Sequence, residues 1–202
     1  MFLLYQKKYK AFPETVLING RIYKINADFR NILRILGILH DFNIPDVKKA
    51  DRIINWFFED GFPENISPDL IIDTIGGFIY INGAEESKDG MHDIFSGEKQ
   101  EKQFCYNFDA KEIYADFISE YAIDLTGADF LHWYKFKILL DNLSSESAFK
   151  KKIELRFIEP YNEKLAEAKE AVQLPNKFQT EDTEQISREI NEFNEKWGKA
   201  GK

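Results

Sequence analysis

Asp109-Ala110-Lys111-Glu112-Ile113-Tyr114-Ala115-Asp116-Phe117-Ile118-Ser119-Glu120-Tyr121 is followed, after Ala122-Ile123-Asp124-Leu125-Thr126-Gly127, by Leu131-His132-Trp133-Tyr134-Lys135-Phe136-Lys137. Ile113, Tyr114, Phe117, Ile118 and Tyr121 recur at helical spacing and form one apolar face. Asp109 and Glu112 have the form of a capping box, in which the aspartate takes an orphan amide and the glutamate reaches back. Thr126-Gly127-Ala128-Asp129 offers a second box for a helix that bears the Trp133 cluster and closes at Leu143-Ser144-Ser145. Two amphipathic helices over 108–149 thus make the densest packing unit of the chain, and Phe149, Ile153 and Phe157 carry the helical pattern on to Pro160. The stretch decides for a mainly α fold.

Upstream, Asn19-Gly20 between Val16-Leu17-Ile18 and Arg21-Ile22-Tyr23 predicts an N-terminal β-hairpin, because that pair tolerates the two positive φ values of a type I′ turn. Leu17 then opposes Ile22 and Val16 opposes Tyr23, so both faces carry apolar pairs and the ribbon is expected to lie against helices. Asn26 is placed to cap a helix with Phe29, Ile32, Leu33, Leu36 and Leu39 on one face, ending near His40-Asp41. A second helix from Pro45 turns Val47, Ala50, Ile54, Phe57 and Phe58 inward and stops at Gly61. Ser67-Pro68-Asp69 opens a third, ending at Asn82-Gly83. Gly76-Gly77 inside it costs roughly 1 kcal/mol per glycine, which requires a close helix crossing or a kink.

Between Ala84 and Gln103 acidic residues mix with lysines and glycines, and few large apolar residues occur; a mobile linker is expected. Past Pro175 the chain is polar until Ile186, Ile190, Phe193 and Trp197 recur at spacings of four, three and four. A seam that short is unstable alone, so it docks on the protein's own core or on a partner. The expected organisation is therefore 1–83 as hairpin plus three helices, 84–103 as acidic linker, 104–175 as a second helical unit packing on the first, and 176–202 as a tail with a short amphipathic helix.

Composition narrows the function. The 202 residues are 44% hydrophobic and include 18 Phe, 9 Tyr and 3 Trp, enough apolar area to offset the entropy of ordering. A net charge of −8 repels phosphate backbones, and the strongest basic run, Lys150-Lys151-Lys152, is short and followed by Glu154, so nucleic acid is not expected as a partner. Lone Cys105 makes no internal disulfide, and Phe2-Leu3-Leu4-Tyr5 is too short for a signal sequence, which points to a reducing cytosol. No apolar run reaches the roughly 18 residues a membrane span needs.

His40, His92 and His132 stand far apart and Cys105 lacks a CxxC partner, so neither metal nor cofactor is expected. Gly76-Gly77 lacks the Lys-Ser/Thr of a phosphate loop, no serine sits in a nucleophile elbow, and no catalytic residue is assigned. A pocket gathering His132 with Asp124 or Asp129 would instead point to a small hydrolase or nucleic-acid modifier. Trp133 reads as core. His132 and Lys135 read either as a polar border of that core or as a rim around an exposed aromatic anchor. With Ile186, Ile190, Phe193 and Trp197 they are the candidate protein-binding residues.

Tyr106-Asn107-Phe108-Asp109, then Ile113 to Phe117, Tyr121 to Leu125 and Leu131 to Phe136, resembles a bacteriophage protein family of Gram-positive siphophages and prophages. In that family the gene typically lies between those of the tail-tube and tape-measure proteins. The matching order continues through Leu143, Phe149, Ile153 and Arg156 to Leu174-Pro175, and the hairpin followed by Asp28-Phe29-Arg30 looks like the family's opening. The resemblance covers most of the chain outside 84–103 and the tail. Three departures stand out: Tyr134 replaces a usual second tryptophan, Ala122 a common glycine, and Phe157 to Lys164 an Asp-Leu-Ser stretch with further basic residues. The last bears on whether a binding surface near Arg156 is retained. The resemblance implies a tail-assembly chaperone of the host cytoplasm that binds the tape-measure and tail-tube proteins while a long non-contractile tail is built, with self-association left open. A connector retained in the virion is the alternative. The motifs are structural and name no chemistry, and the acidic net charge would keep a sticky complex soluble.

Overall fold

The computed structural model describes residues 12–39, 44–61, 66–80 and 103–175. The linker expected over 84–103, Gln103 excepted, and the seam of Ile186, Ile190, Phe193 and Trp197 lie outside the described residues. What is described is mainly α with an N-terminal antiparallel hairpin. It divides into two compact units: residues 12–80 together with Leu131–Phe136, and residues 103–130 together with 137–175. The Trp133 cluster, although it lies in the C-terminal half of the sequence, belongs to the first unit.

In the first unit β1 (Thr15–Ile18) and β2 (Arg21–Lys24) pair with Val16 opposite Tyr23 and Leu17 opposite Ile22. Asn19 (φ 49°) and Gly20 (φ 76°) take the two left-handed conformations the turn demands. Only one face of the ribbon is covered. Ile18 is buried, whereas Leu17 and Ile22 are 70% and 73% exposed. The ribbon lies against a helix as expected, but on one face only: successive side chains point to opposite faces, so shelter on one side leaves Leu17 and Ile22 in solvent.

The chain then enters α1 (Phe29–Leu39). Asp28, and not Asn26, holds its start: Asp28 Oδ1 accepts the Arg30 amide at 2.9 Å and its carbonyl takes the Asn31 and Ile32 amides. Asn26 Oδ1 instead accepts the Asp28 amide at 3.2 Å. The buried face is Phe29, Asn31, Ile32, Ile35 and Ile38, with Leu33, Leu36 and Leu39 half-buried beside it. Asn31 explains the rotation away from the expected stripe, because its Nδ2 donates to the carbonyls of Asn26 (3.0 Å) and Trp56 (2.8 Å). A buried amide must be satisfied, and this one is satisfied against α2 (Asp46–Phe57).

Ala50, Ile53, Ile54 and Phe57 line the inner face of α2. Phe58 leaves the helix in an extended conformation and bridges Ile25, while the Asn26 amide donates to Phe57 (2.8 Å) and the Glu59 amide to Lys24 (3.1 Å). α3 (Pro68–Tyr80) runs unbroken through Gly76-Gly77. A Cβ at Gly76 would meet nothing within 4 Å, so no close crossing occupies that position. Burial of Phe78 and Ile79 just beyond offsets the weak helix propensity there.

The second unit contains α4 (Ala110–Tyr121), the part of α5 (Trp133–Asp141) from Lys137 onward, α6 (Ala148–Phe157) and α7 (Glu163–Val172). Ser147 caps α6 through the Lys150 amide, and Asp116 of α4 accepts the amides of Ala148 (3.1 Å) and Phe149 (2.8 Å). That places a carboxylate at the positive end of a helix. Tyr121 donates its hydroxyl to the Leu139 carbonyl at 2.9 Å. Neither expected capping box forms. Asp124 Oδ1 accepts the amides of Thr126 (2.8 Å) and Gly127 (3.2 Å) and the Thr126 hydroxyl (2.7 Å), an Asx turn that removes Thr126 from any capping role.

α4 ends with Ala122 in the left-handed region at φ 53°, its amide bonded to Ile118 and the Ile123 amide to Phe117. This is a helix terminus that favours glycine. Ala122→Gly is expected to raise the unfolding free energy by roughly 0.5–1 kcal/mol, the relief of strain exceeding the added chain entropy. Gly76→Ala, entering open space in a helix, is expected to add a similar roughly 0.5–1 kcal/mol. Urea unfolding of both variants measures this, and a loss of stability in either would contradict the local geometry.

Candidate functional site

The strip of chain around His132 was the candidate surface, and its backbone decides how its side chains are used. Phe29 donates its amide to Leu131 (2.9 Å), Trp133 donates to Ala27 (2.7 Å), and Asp28 and His132 form an antiparallel bridge. Asp28 Oδ2 also accepts the Leu131 amide at 3.4 Å while its carboxylate grips Arg30 at 2.9 Å through both Nε and Nη2. Burial alone would raise the Asp28 pKa, but the Arg30 side chain and amide and the Leu131 amide together hold it below the usual value. Because Leu131 and His132 are held in this pairing, α5 starts at Trp133 and not at the expected second box.

His132 is 5% exposed. Its Nε2 lies 2.9 Å from the Pro13 carbonyl and its Nδ1 3.1 Å from the Tyr134 amide. The carbonyl calls for a donor at Nε2 and the amide for an acceptor at Nδ1, so the neutral ring with its proton on Nε2 satisfies both. The ring stacks on Phe12 with centroids 5.0 Å apart. Burial pushes its pKa down from 6.5, with the Pro13 carbonyl and the Glu14 carboxylate opposing. Trp133 is buried and donates Nε1–H to the Ile79 carbonyl at 3.0 Å, and Phe29 and Trp133 each stack on Phe136. His132 therefore does not border an exposed aromatic anchor: the indole and the imidazole both point inward, and only Lys135 of this group is exposed. Nor is His132 presented as a base for hydrolysis, because protonating Nδ1 would break its bond to the Tyr134 amide.

The second unit is organised by Asp109, whose side chain is fully buried. Arg156 donates to it in bidentate fashion, Nη2 to Oδ1 at 2.6 Å and Nη1 to Oδ2 at 3.0 Å. The same guanidinium donates to the carbonyls of Val172 (2.7 Å) and Gln103 (2.9 Å), and Asp109 Oδ2 accepts the Cys105 amide at 3.0 Å. Lys152 sits 3.0 Å from both Asp109 Oδ1 and Glu112 Oε2 and lies over the Phe108 ring. Burial would push Asp109 up, but Arg156, the Cys105 amide and Lys152 hold its carboxyl below the usual range. Asp109 thus makes no side-chain cap of α4, and Glu112 turns to Lys152 and not back to the helix start. Arg156 is a buried strut linking residues 103, 109 and 172, so its own head group offers no binding surface.

Sequence spacing had no means of pairing Asp109 with Arg156 across 47 positions; the only local sign was the basic run ending in Lys152. Among the described residues no three or more His, Cys, Asp or Glu side chains gather as a metal-ligand set, and no described helix is long and apolar enough to cross a membrane.

The two units thus define a helical protein in which the buried side chains of Asp28, Asn31, His132, Asp109 and Arg156 bond to backbone. A family model described as Bacteriophage Gp15 protein matches residues 10–179, and the chain belongs to that family. It is a bacteriophage protein with a structural or morphogenetic role. No curated protein and no solved structure matches it.

Removing one partner of the buried pair leaves the other charged and desolvated. Arg156→Leu is therefore expected to cost about 3–5 kcal/mol, and the double variant Asp109→Leu with Arg156→Leu markedly less, as read by urea unfolding. Equal losses in the single and double variants would mean that the pair itself is not the strut. His132 sets a separate acid limit. The folded chain binds its proton less readily than the unfolded chain, so this contribution is complete above 6.5 and falls as the pH drops below it. Asp109, with a depressed pKa, acts only below 3.8, so the two windows separate. Melting temperatures measured from neutral pH down to about pH 5 should fall in the wild type and flatten in His132→Asn.

Proposed function

We propose that this protein is a tail-assembly chaperone, a non-enzymatic factor that binds the tape-measure protein, the tail-tube protein or both while a long non-contractile tail is built in the host cytoplasm. Membership of the Bacteriophage Gp15 family across residues 10–179 is the observation that carries this reading. Two features of the structure support it. The buried titratable groups Asp28, His132 and Asp109 are engaged within their own units, and large apolar side chains including Leu17, Ile22, Phe130, Ile138 and Tyr161 remain exposed. A protein that holds sticky helical clients needs weak, multiple apolar contacts and no reacting atoms. The candidate contacts are the seam of Ile186, Ile190, Phe193 and Trp197 and the exposed Lys135.

The test is co-purification of the tagged chain from cells expressing the neighbouring tape-measure and tail-tube genes. Capture of one or both is expected, with a chain truncated after Pro175 melting normally but recovering at least about tenfold less client. Undiminished capture by the truncated chain would remove the tail from this reading. Stoichiometric presence of the protein in purified virions, by mass spectrometry, would overturn the chaperone role in favour of a retained connector.

A further inference from the structure

α6 ends at Phe157 and α7 begins at Glu163, and the turn between them carries a compact group of apolar side chains in solvent. Phe157 is 48% exposed, Ile158 39% and Tyr161 83%. Single exposed hydrophobes are ordinary on any surface, but three within five consecutive residues concentrate apolar surface on one turn. Full burial of an aromatic side chain covers about 150–250 Å², so the patch offers on the order of 300 Å², in the range where such surfaces are functional.

The turn is held in place from several directions. The Ile158 amide donates to Glu154 (3.1 Å), Lys169 Nζ donates to the Ile158 carbonyl (3.0 Å), and Asn162 caps α7 through the Leu165 amide (2.8 Å). Gln173 Nε2 donates to the Arg156 carbonyl at 3.2 Å, and Arg156 is itself locked on Asp109. Anchors on a pre-ordered backbone lose little entropy when a partner covers them. The charge around them is mainly negative. Glu154, Glu159, Glu163, Glu167 and Glu170 are exposed, and none is ion-paired among the described residues. Of the cations in the same stretch, Arg156 is paired with Asp109, while Lys164 and Lys169 keep their charge, so the five glutamates outnumber two lysines.

We infer that this edge of the second unit docks a protein segment whose apolar side chains are flanked by lysine or arginine. Phosphate-bearing surfaces are disfavoured by the glutamates, and a second copy of the same patch would bring like charges together. The inference stands on this geometry alone and holds whether or not the protein is an assembly chaperone.

The experiment uses the full chain and a fluorescein-labelled helical peptide of leucine and lysine, with a leucine and glutamate peptide as control, followed by anisotropy at low salt. The basic peptide should bind and the acidic one bind at least about tenfold more weakly. Tyr161→Ser, at a site too exposed to disturb the fold, should weaken the basic peptide at least about fivefold, and the charge reversals Glu154→Lys with Glu159→Lys at least about tenfold. The reversals Asp51→Lys with Asp60→Lys, in the other unit, should leave affinity within about twofold. No binding of the basic peptide, no response to Tyr161→Ser, or equal loss from both pairs of reversals would overturn the assignment.

Discussion

The pairing of Ala27-Asp28-Phe29 with Leu131-His132-Trp133 is the constraint on which the first unit depends. Two short backbone bonds, from Phe29 to Leu131 and from Trp133 to Ala27, and a longer one of 3.4 Å from the Leu131 amide to the Asp28 carboxylate join segments distant in sequence. They fix the start of α1, because Asp28 is at once the pairing residue and the acceptor of the Arg30 amide. They fix the start of α5, because a strip held in this pairing cannot also be the first turn of a helix. They also decide that His132 and Trp133 face inward, where one bonds Pro13 and the other Ile79. A closure over so long a loop is entropically costly, and the buried Phe29, Trp133 and Phe136 rings supply the apolar gain that offsets it.

The second unit solves the same problem with charge. Asp109 gathers Arg156, Lys152 and the Cys105 amide, and Arg156 carries the constraint on to the carbonyls of Gln103 and Val172. In both units the polar residues that a search for chemistry would pick first act as fasteners of backbone. On the proposed reading, function falls to what these fasteners leave exposed. The outward face of the hairpin at Leu17 and Ile22 and the turn at Phe157, Ile158 and Tyr161 are such places, and both are apolar.

How far the sequence could be read follows from the range of each interaction. The Asn19-Gly20 hairpin and its register were legible because the turn imposes two positive φ values that few residue pairs accept. Most helix positions were legible because apolar spacing and Pro45 or Ser67-Pro68 mark them locally. The capping boxes at Asp109 and Thr126 failed for opposite reasons: a guanidinium 47 residues away outcompeted the local amides for Asp109, and Asp124, two residues upstream, outcompeted the Thr126 hydroxyl. α7 was missed because it buries no residue fully and so shows no strong stripe. His132 and Lys135 looked alike on an aromatic background, and only the partner strand near Asp28 tells that the first is buried and the second exposed. The resemblance carried by Tyr106 to Phe136 pointed to a bacteriophage protein family, and the match over residues 10–179 accords with that much.

A helical protein whose buried polar groups hold backbone is suited to presenting surfaces to other proteins, and the proposed place in tail morphogenesis asks nothing more of it. The pairing of residues 27–29 with 131–133 is tested most directly by native-state hydrogen exchange on the full chain. The amides of Phe29 and Trp133 should fall in the slowest class, exchanging only on global unfolding together with the core amides of α1. Exchange of those two amides at the rate of an exposed turn, while α1 stays protected, would show that the segment at 131–133 is not the fastener of the first unit.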